Sequence, residues 1–297
     1  MPADAPTVSE TVIHGLKDGQ VLDVSFPSSY QVQDPEYREE YLNYKNNRAV
    51  YARLWKHTTP KAPATVVAIH GWSMTDQRAN SLAFIPGGFY ALGLDVALVE
   101  LPFHMRRAPT EGFGDLGALF LSADLRRTNE AIAQAVSDLR ELRLYLEKKG
   151  PAETGCMGMS LGGYLAALWA SLDSLSFCLP VAPLSCMSDM AWEQLAKSDV
   201  AFQVQASGIE KEDLRRAFSF HSPLSHSLKV EKDRVLIVGG VHDKVLPASQ
   251  PEQLWRHWGR PHLLWLPGGH GMQLREGRGF ARVCDFLEKV LGISGPE

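Results

Sequence analysis

The chain has 297 residues, 45% of them hydrophobic and 22% charged, with a formal net charge of -4. That is enough apolar material for a sizeable core, and the acidic balance excludes the basic footprint of a nucleic-acid binder. The four cysteines (Cys156, Cys178, Cys186 and Cys284) have no CxxC spacing, so no metal site is expected. The opening MPADAPTVSETVIHGLKDGQ lacks the basic start and apolar stretch of a secretory signal. No apolar run approaches the ~20 residues that cross a bilayer. A cytoplasmic protein without a membrane partner is expected.

Residues 1–46 read as an N-terminal extension and 47–297 as one domain. Within the extension, Asp34-Pro35-Glu36 is a good helix start, followed by Tyr37, Tyr41 and Tyr44 on one face. Thr65-Val66-Val67-Ala68-Ile69 has the apolar continuity of a buried parallel strand and ends at His70-Gly71. Asp95-Val96-Ala97-Leu98-Val99 has the same character. Ile132, Val136, Leu139, Leu142 and Leu146 recur at helical spacing in a helix from about Leu125 to Lys149, closed by Gly150.

Strands follow at Thr154–Gly158, Ser176–Val181, Val235–Gly239 and Leu263–Leu266. Helices are expected after Ser160, from Glu252 to Trp258, and from about Phe280 to Leu291. The alternation predicts an α/β protein: a mostly parallel central sheet with helices on both faces. A long insertion at about 186–228 breaks the rhythm with two predicted helices, Asp189 to Val204 and Glu210 to Phe218. An insertion at a strand's carboxyl end reads as a lid or binding region.

The chemistry collects where strands end. Gly158-Met159-Ser160-Leu161-Gly162 matches G-x-S-x-G at a strand-to-helix turn, where glycines clear space around a serine held in a strained conformation. A serine hydroxyl needs a base, and the base needs an acid to fix its tautomer. Asp243 follows the 235–239 strand and His270 the 263–266 strand, which gives the chain order Ser160, Asp243, His270. His242 competes as the base but would point away from the acid in an extended backbone. Backbone N–H groups of Leu161 and of Trp72 are the expected oxyanion donors. Trp72 also reads as a core aromatic.

The His-Gly loop, the GMSLGGY elbow, the VHDKVLP acid turn and the PGGHG turn resemble those of the α/β-hydrolase superfamily, from about residue 47 to 292. The Ser160-Leu161-Gly162-Gly163-Tyr164 elbow is similar to those of acetyl esterases, acylaminoacyl-peptidases and dienelactone hydrolases. Dienelactone hydrolases carry cysteine at the nucleophile position and dehalogenases aspartate, so both fit less well. The lipase-type His-Gly-Gly-Gly is absent. The resemblance implies a serine hydrolase that needs no metal or organic cofactor.

The expected substrate is a small-molecule ester of small to medium acyl size. An acylaminoacyl-type peptidase, a thioesterase and a non-catalytic ligand-binding protein are the alternatives. Met187, Met190, Trp192 and Phe202 of the insertion offer apolar groups for substrate, or glue for the lid. Arg106, in the loop after the 95–99 strand, reads either as a receiver of anionic substrate or as a solvated loop residue.

Overall fold

The computed structural model describes residues 4–109, 117–151, 153–196, 210–271, 273–275 and 278–293. Three strands come early in the chain: β1 (Ser9–Gly15), β2 (Gly19–Pro27) and β3 (Ala49–His57). In β3 Val50, Ala52 and Leu54 turn inward, while Tyr51, Arg53 and Trp55 alternate with them, the period-2 pattern of an antiparallel strand. Six further strands are β4 (Ala64–Ile69), β5 (Asp95–Val99), β6 (Glu153–Met159), β7 (Cys178–Val181), β8 (Leu236–Gly240) and β9 (His262–Leu266). β4, β5, β7 and β8 are buried at every position, as expected of parallel strands covered on both faces.

All nine join one sheet in the order β1-β2-β3-β5-β4-β6-β7-β8-β9. The pairs β1/β2, β2/β3 and β3/β5 are antiparallel; from β5 to β9 every pair is parallel. The boundary expected at residue 46 therefore does not separate two packing units. Residues 9–27 extend the same sheet at its β3 edge, because β2 hydrogen-bonds along the whole of β3.

Nine helices occur among the described residues: α1 (Arg38–Leu42), α2 (Gln77–Phe84), α3 (Pro86–Ala91), α4 (Leu125–Lys149), α5 (Leu161–Leu172), α6 (Met187–Ala196), α7 (Lys211–Phe218), α8 (Ser249–His257) and α9 (Gly279–Leu291). α4 starts where the Asp124 carboxylate accepts the Arg127 N–H, and it ends at Gly150, as its periodicity predicts. Pro251 lies in the first turn of α8, where its missing N–H costs nothing, so that helix starts three residues before the predicted Glu252. α1 begins later than Pro35 suggests and runs only five residues.

Two apolar clusters fill the two faces of the sheet. One holds α4, α5 and α8 through residues such as Ile132, Leu142, Trp169 and Leu254; the other holds α2, α3 and α9 through Phe84, Phe89 and Val283. None of the described helices is long and apolar enough to cross a membrane. The chain passes from β4 to β5 on one side and returns to β6 on the other. The crevice at this reversal, outside the carboxyl ends of β4 and β6, is where open sheets of this kind place ligands.

Candidate active site

Ser160 sits between β6 and α5 at φ 57°, ψ -115°, a conformation that side chains rarely adopt and that costs about 1–3 kcal/mol. The surrounding glycines make the turn possible. A Cβ on Gly162 would lie 1.9 Å from the Ile69 carbonyl oxygen, and one on Gly158 would lie 1.9 Å from that of Gly162. Both collisions are with backbone, which cannot swing aside.

The turn brings three residues into one line. The Ser160 hydroxyl lies 2.8 Å from His270 Nε2, and His270 Nδ1 lies 2.7 Å from Asp243 Oδ2. An ionised Asp243 only accepts, so Nδ1 carries the hydrogen and Nε2 is free to accept from the serine. Asp243 is itself held: its Oδ1 accepts the N–H groups of Val245 and Leu246, each at 2.9 Å. Its side chain is 4% exposed and that of His270 19%, so the carboxylate is sealed while the imidazole meets the solvent side. His242 is exposed and hydrogen-bonds through its backbone to Gly268, outside this line.

Leu161 is the first residue of α5, so its N–H has no acceptor within the helix. Gly71 brings the β4 loop against the elbow: a Cβ there would lie 3.4 Å from that of Ser160. Trp72 follows, and among the described residues its backbone N–H has no acceptor. The Trp72 side chain is not a core aromatic. It is 50% exposed, and its Nε1–H donates to the Gly117 carbonyl at 2.8 Å.

His70, whose role the sequence reading did not identify, is fully buried beside this loop. Burial pushes its pKa down to about 4, so the ring is neutral at pH 7. Its neighbour His104 is likewise lowered by burial, to about 3. The signal in the sequence was a histidine directly before the glycine of the β4 loop.

The other proposed contacts fare differently. Met190 and Trp192 stand on α6, half-buried against the core cluster that includes Leu184 and Met187. That is the lid-glue arrangement, although the Leu184 N–H also reaches the Ser160 carbonyl at 3.3 Å. Phe202 lies outside the described residues. Arg106 is committed elsewhere: it pairs with Glu100 at 2.7 Å and Asp23 at 3.5 Å and covers the Tyr51 ring at 4.3 Å. Two opposite charges already engage its guanidinium.

The insertion is also pinned to the elbow helix. Tyr164 of α5 bonds through its hydroxyl to His221 Nδ1 at 2.6 Å, and His221 Nε2 donates to Asn129 Oδ1 at 3.0 Å. Burial lowers His221 to about 4, which keeps it neutral in this role.

The model of the serine hydrolase (FSH1) family matches residues 119–272, a little over half of the chain, a span that includes Ser160, Asp243 and His270. An uncharacterized protein of Mycobacterium tuberculosis (strain ATCC 25618 / H37Rv) is 29% identical over 286 residues, covering 90% of this chain. This chain spans 64% of that relative's length. Among solved structures, acetyl xylan esterase 1 from Thermoanaerobacterium sp. JW/SL YS485 aligns with a TM-score of 0.66 at 16% identity, over 96% of this chain and 88% of its own. A cold-adapted esterase from an Arctic intertidal metagenomic library aligns with a TM-score of 0.55 at 17% identity, over 95% and 98%. At such identities the likeness is one of fold, the α/β-hydrolase fold.

Proposed function

We propose that this chain, which belongs to the serine hydrolase (FSH1) family, cleaves carboxylic esters of small to medium acyl groups, with Ser160, His270 and Asp243 as its catalytic residues. The observation that carries this reading is the continuous hydrogen-bonded line from Ser160 Oγ through His270 to Asp243.

In this mechanism His270 Nε2 takes the hydroxyl proton as Ser160 Oγ attacks the ester carbonyl carbon. Asp243 stabilises the imidazolium that forms. The carbonyl oxygen becomes an oxyanion, received by the N–H groups of Leu161 and Trp72. The carbon–oxygen bond to the alcohol then breaks, and His270 returns its proton to the departing alkoxide. A water, deprotonated by His270, attacks the acyl-serine; the acid leaves and Ser160 regains its proton.

The apolar surface near the site supports an uncharged acyl group. Trp72 presents half of its indole beside the elbow, and Arg106, the cation that would attract an anionic substrate, is already neutralised.

The test is labelling with a fluorophosphonate, read by mass spectrometry, together with rates on p-nitrophenyl esters of rising acyl length. An adduct on Ser160 and turnover lost in Ser160→Ala are the expected results. A folded protein that neither labels nor turns over any ester refutes the assignment. Peptide cleavage without ester cleavage replaces it with a peptidase.

A further inference from the structure

The segment from residue 28 to 48 folds over α4 and leaves a cavity of about 230 Å³ between itself and that helix. None of the lining residues belongs to the loops after β4, β6, β8 and β9 that carry the candidate active site. We propose that this cavity is a second binding site, for a small organic anion that carries one carboxylate or phosphate group on a flat, unsaturated body.

The charge around the cavity is one-sided. Arg38 and Arg48 line it, and neither forms an ion pair among the described residues. Arg53, Arg106, Arg107, Arg126 and Arg140, by comparison, are all held by carboxylates. The lining holds no acidic residue. The α4 carboxylates nearest the segment do not line the cavity and are already engaged by donors. Glu130 accepts from the Tyr30 hydroxyl and the Gln33 and Asp34 N–H groups, and Glu141 accepts from Ser29. Asp138 is paired with Arg107 and Ser28. Two unpaired arginines therefore line a pocket whose walls carry no acidic residue, an arrangement suited to a carboxylate or phosphate.

One wall residue is almost wholly buried. Asn47 is 2% exposed, and its Oδ1 accepts the Phe103 N–H at 2.8 Å, which fixes the orientation of the amide. Its Nδ2 is then left buried without an acceptor. That donor lies beneath the wall, out of reach of a group in the cavity, so Asn47 shapes the site rather than binding the ligand.

The walls are aromatic. Tyr30, Tyr41 and Tyr44 line the space, and their rings are locked edge to edge, with centroids 6.5 Å apart for Tyr30–Tyr41 and 6.2 Å for Tyr41–Tyr44. Their hydroxyls are already engaged, by Glu130, Gln134 and Arg127 in that order. What they offer a ligand is ring surface, which suits a flat body. The volume corresponds to roughly eight waters at liquid density, enough for one ring and its anionic group.

The experiment is calorimetric titration of the full chain with phenyl phosphate and with benzoate, using phenol and inorganic phosphate as controls. It is repeated on the double variant Arg38→Gln/Arg48→Gln. Both arginines are exposed and unpaired, so the variant keeps its fold, which circular dichroism checks. The expected result is saturable binding of at least one of the two anions, weakened about tenfold or more in the double variant because two charge-assisted contacts are lost. The anion bound more tightly distinguishes a phosphate from a carboxylate ligand. Three results each overturn the proposal: no saturable binding of either anion, binding unchanged in the double variant, or controls that bind as well as the anions. None of these outcomes depends on ester turnover.

Discussion

Leu101 fixes the tautomer of His70. The Leu101 N–H donates to His70 Nε2 at 3.1 Å, so the ring hydrogen must sit on Nδ1, which donates to the Gly71 carbonyl at 2.8 Å. The Gly71–Trp72 peptide is trans and planar, so holding its carbonyl toward His70 turns the Trp72 N–H to the opposite side. A buried histidine thus sets the direction of one proposed oxyanion donor.

Replacing that histidine should therefore harm catalysis more than binding. His70→Phe keeps the bulk of the ring and frees the Gly71–Trp72 peptide to rotate. A lost oxyanion donor costs about 10²–10³ in kcat, and a misdirected one is expected to cost about tenfold to hundredfold, with KM little changed. Steady-state kinetics on a p-nitrophenyl ester reads both constants. A rise in KM alone would contradict the positioning role.

Acid stability follows from the same burial. His70, His104 and His221 are lowered to about 4, 3 and 4, against about 6.5 in the unfolded chain. Between those values the unfolded chain binds more protons than the folded one. Stability is thus undiminished by these groups above pH ~6.5 and is lost as pH falls toward about 4 for His70 and His221 and about 3 for His104, with roughly 3–5 kcal/mol at stake per group. Urea midpoints across that range should fall steadily. His104→Asn keeps a donor for the Pro102 carbonyl but removes the titrating ring, and it should flatten the acid limb.

Two glycine-to-alanine changes should have opposite signs. Gly162→Ala drives a Cβ into the Ile69 backbone and is expected to destroy Ser160 labelling or the fold itself. A Cβ on Gly87, in α3, meets nothing within 4 Å. Gly87→Ala should raise stability by about 0.5 kcal/mol through the lost freedom of the unfolded chain. Thermal midpoints and fluorophosphonate labelling of both variants test the pair.

The parallel half of this molecule was legible because its signals are local. β4, β5 and β8 are continuous apolar runs, and α4 keeps one periodic face for 25 residues. The line Ser160, Asp243, His270 was readable because each residue lies in the turn or loop that follows a strand. β1 to β3 were missed for physical reasons. β1 is exposed along its whole length, so no apolar pattern marks it, and β3 interleaves its core residues with Tyr51, Arg53 and Trp55. The role of His70 depends on Leu101, thirty-one positions away, which no local pattern records. Likewise Arg106 and Arg107 are adjacent basic residues in sequence, yet the first lies half in solvent and the second is buried.

That second arginine supports the last prediction. Arg107 and Asp138 pair at 2.7 Å with side chains 0% and 2% exposed, and Arg107 also donates to the Glu100 and Asn47 carbonyls. Removing only the cation, in Arg107→Met, leaves a carboxylate stranded in the core and should cost about 3–5 kcal/mol. The double variant Arg107→Met/Asp138→Leu removes both charges and should recover much of that loss. Burial already raises the Asp138 pKa, and loss of its cation raises it further. The penalty in Arg107→Met should therefore be greatest near neutral pH and shrink on acidification, because a protonated Asp138 is no longer a buried charge. Urea denaturation of the wild type, both single variants and the double variant at two pH values measures the cycle. Equal penalties at both pH values, with no recovery in the double variant, would mean that the loss comes from packing and the two carbonyl bonds rather than from the ion pair.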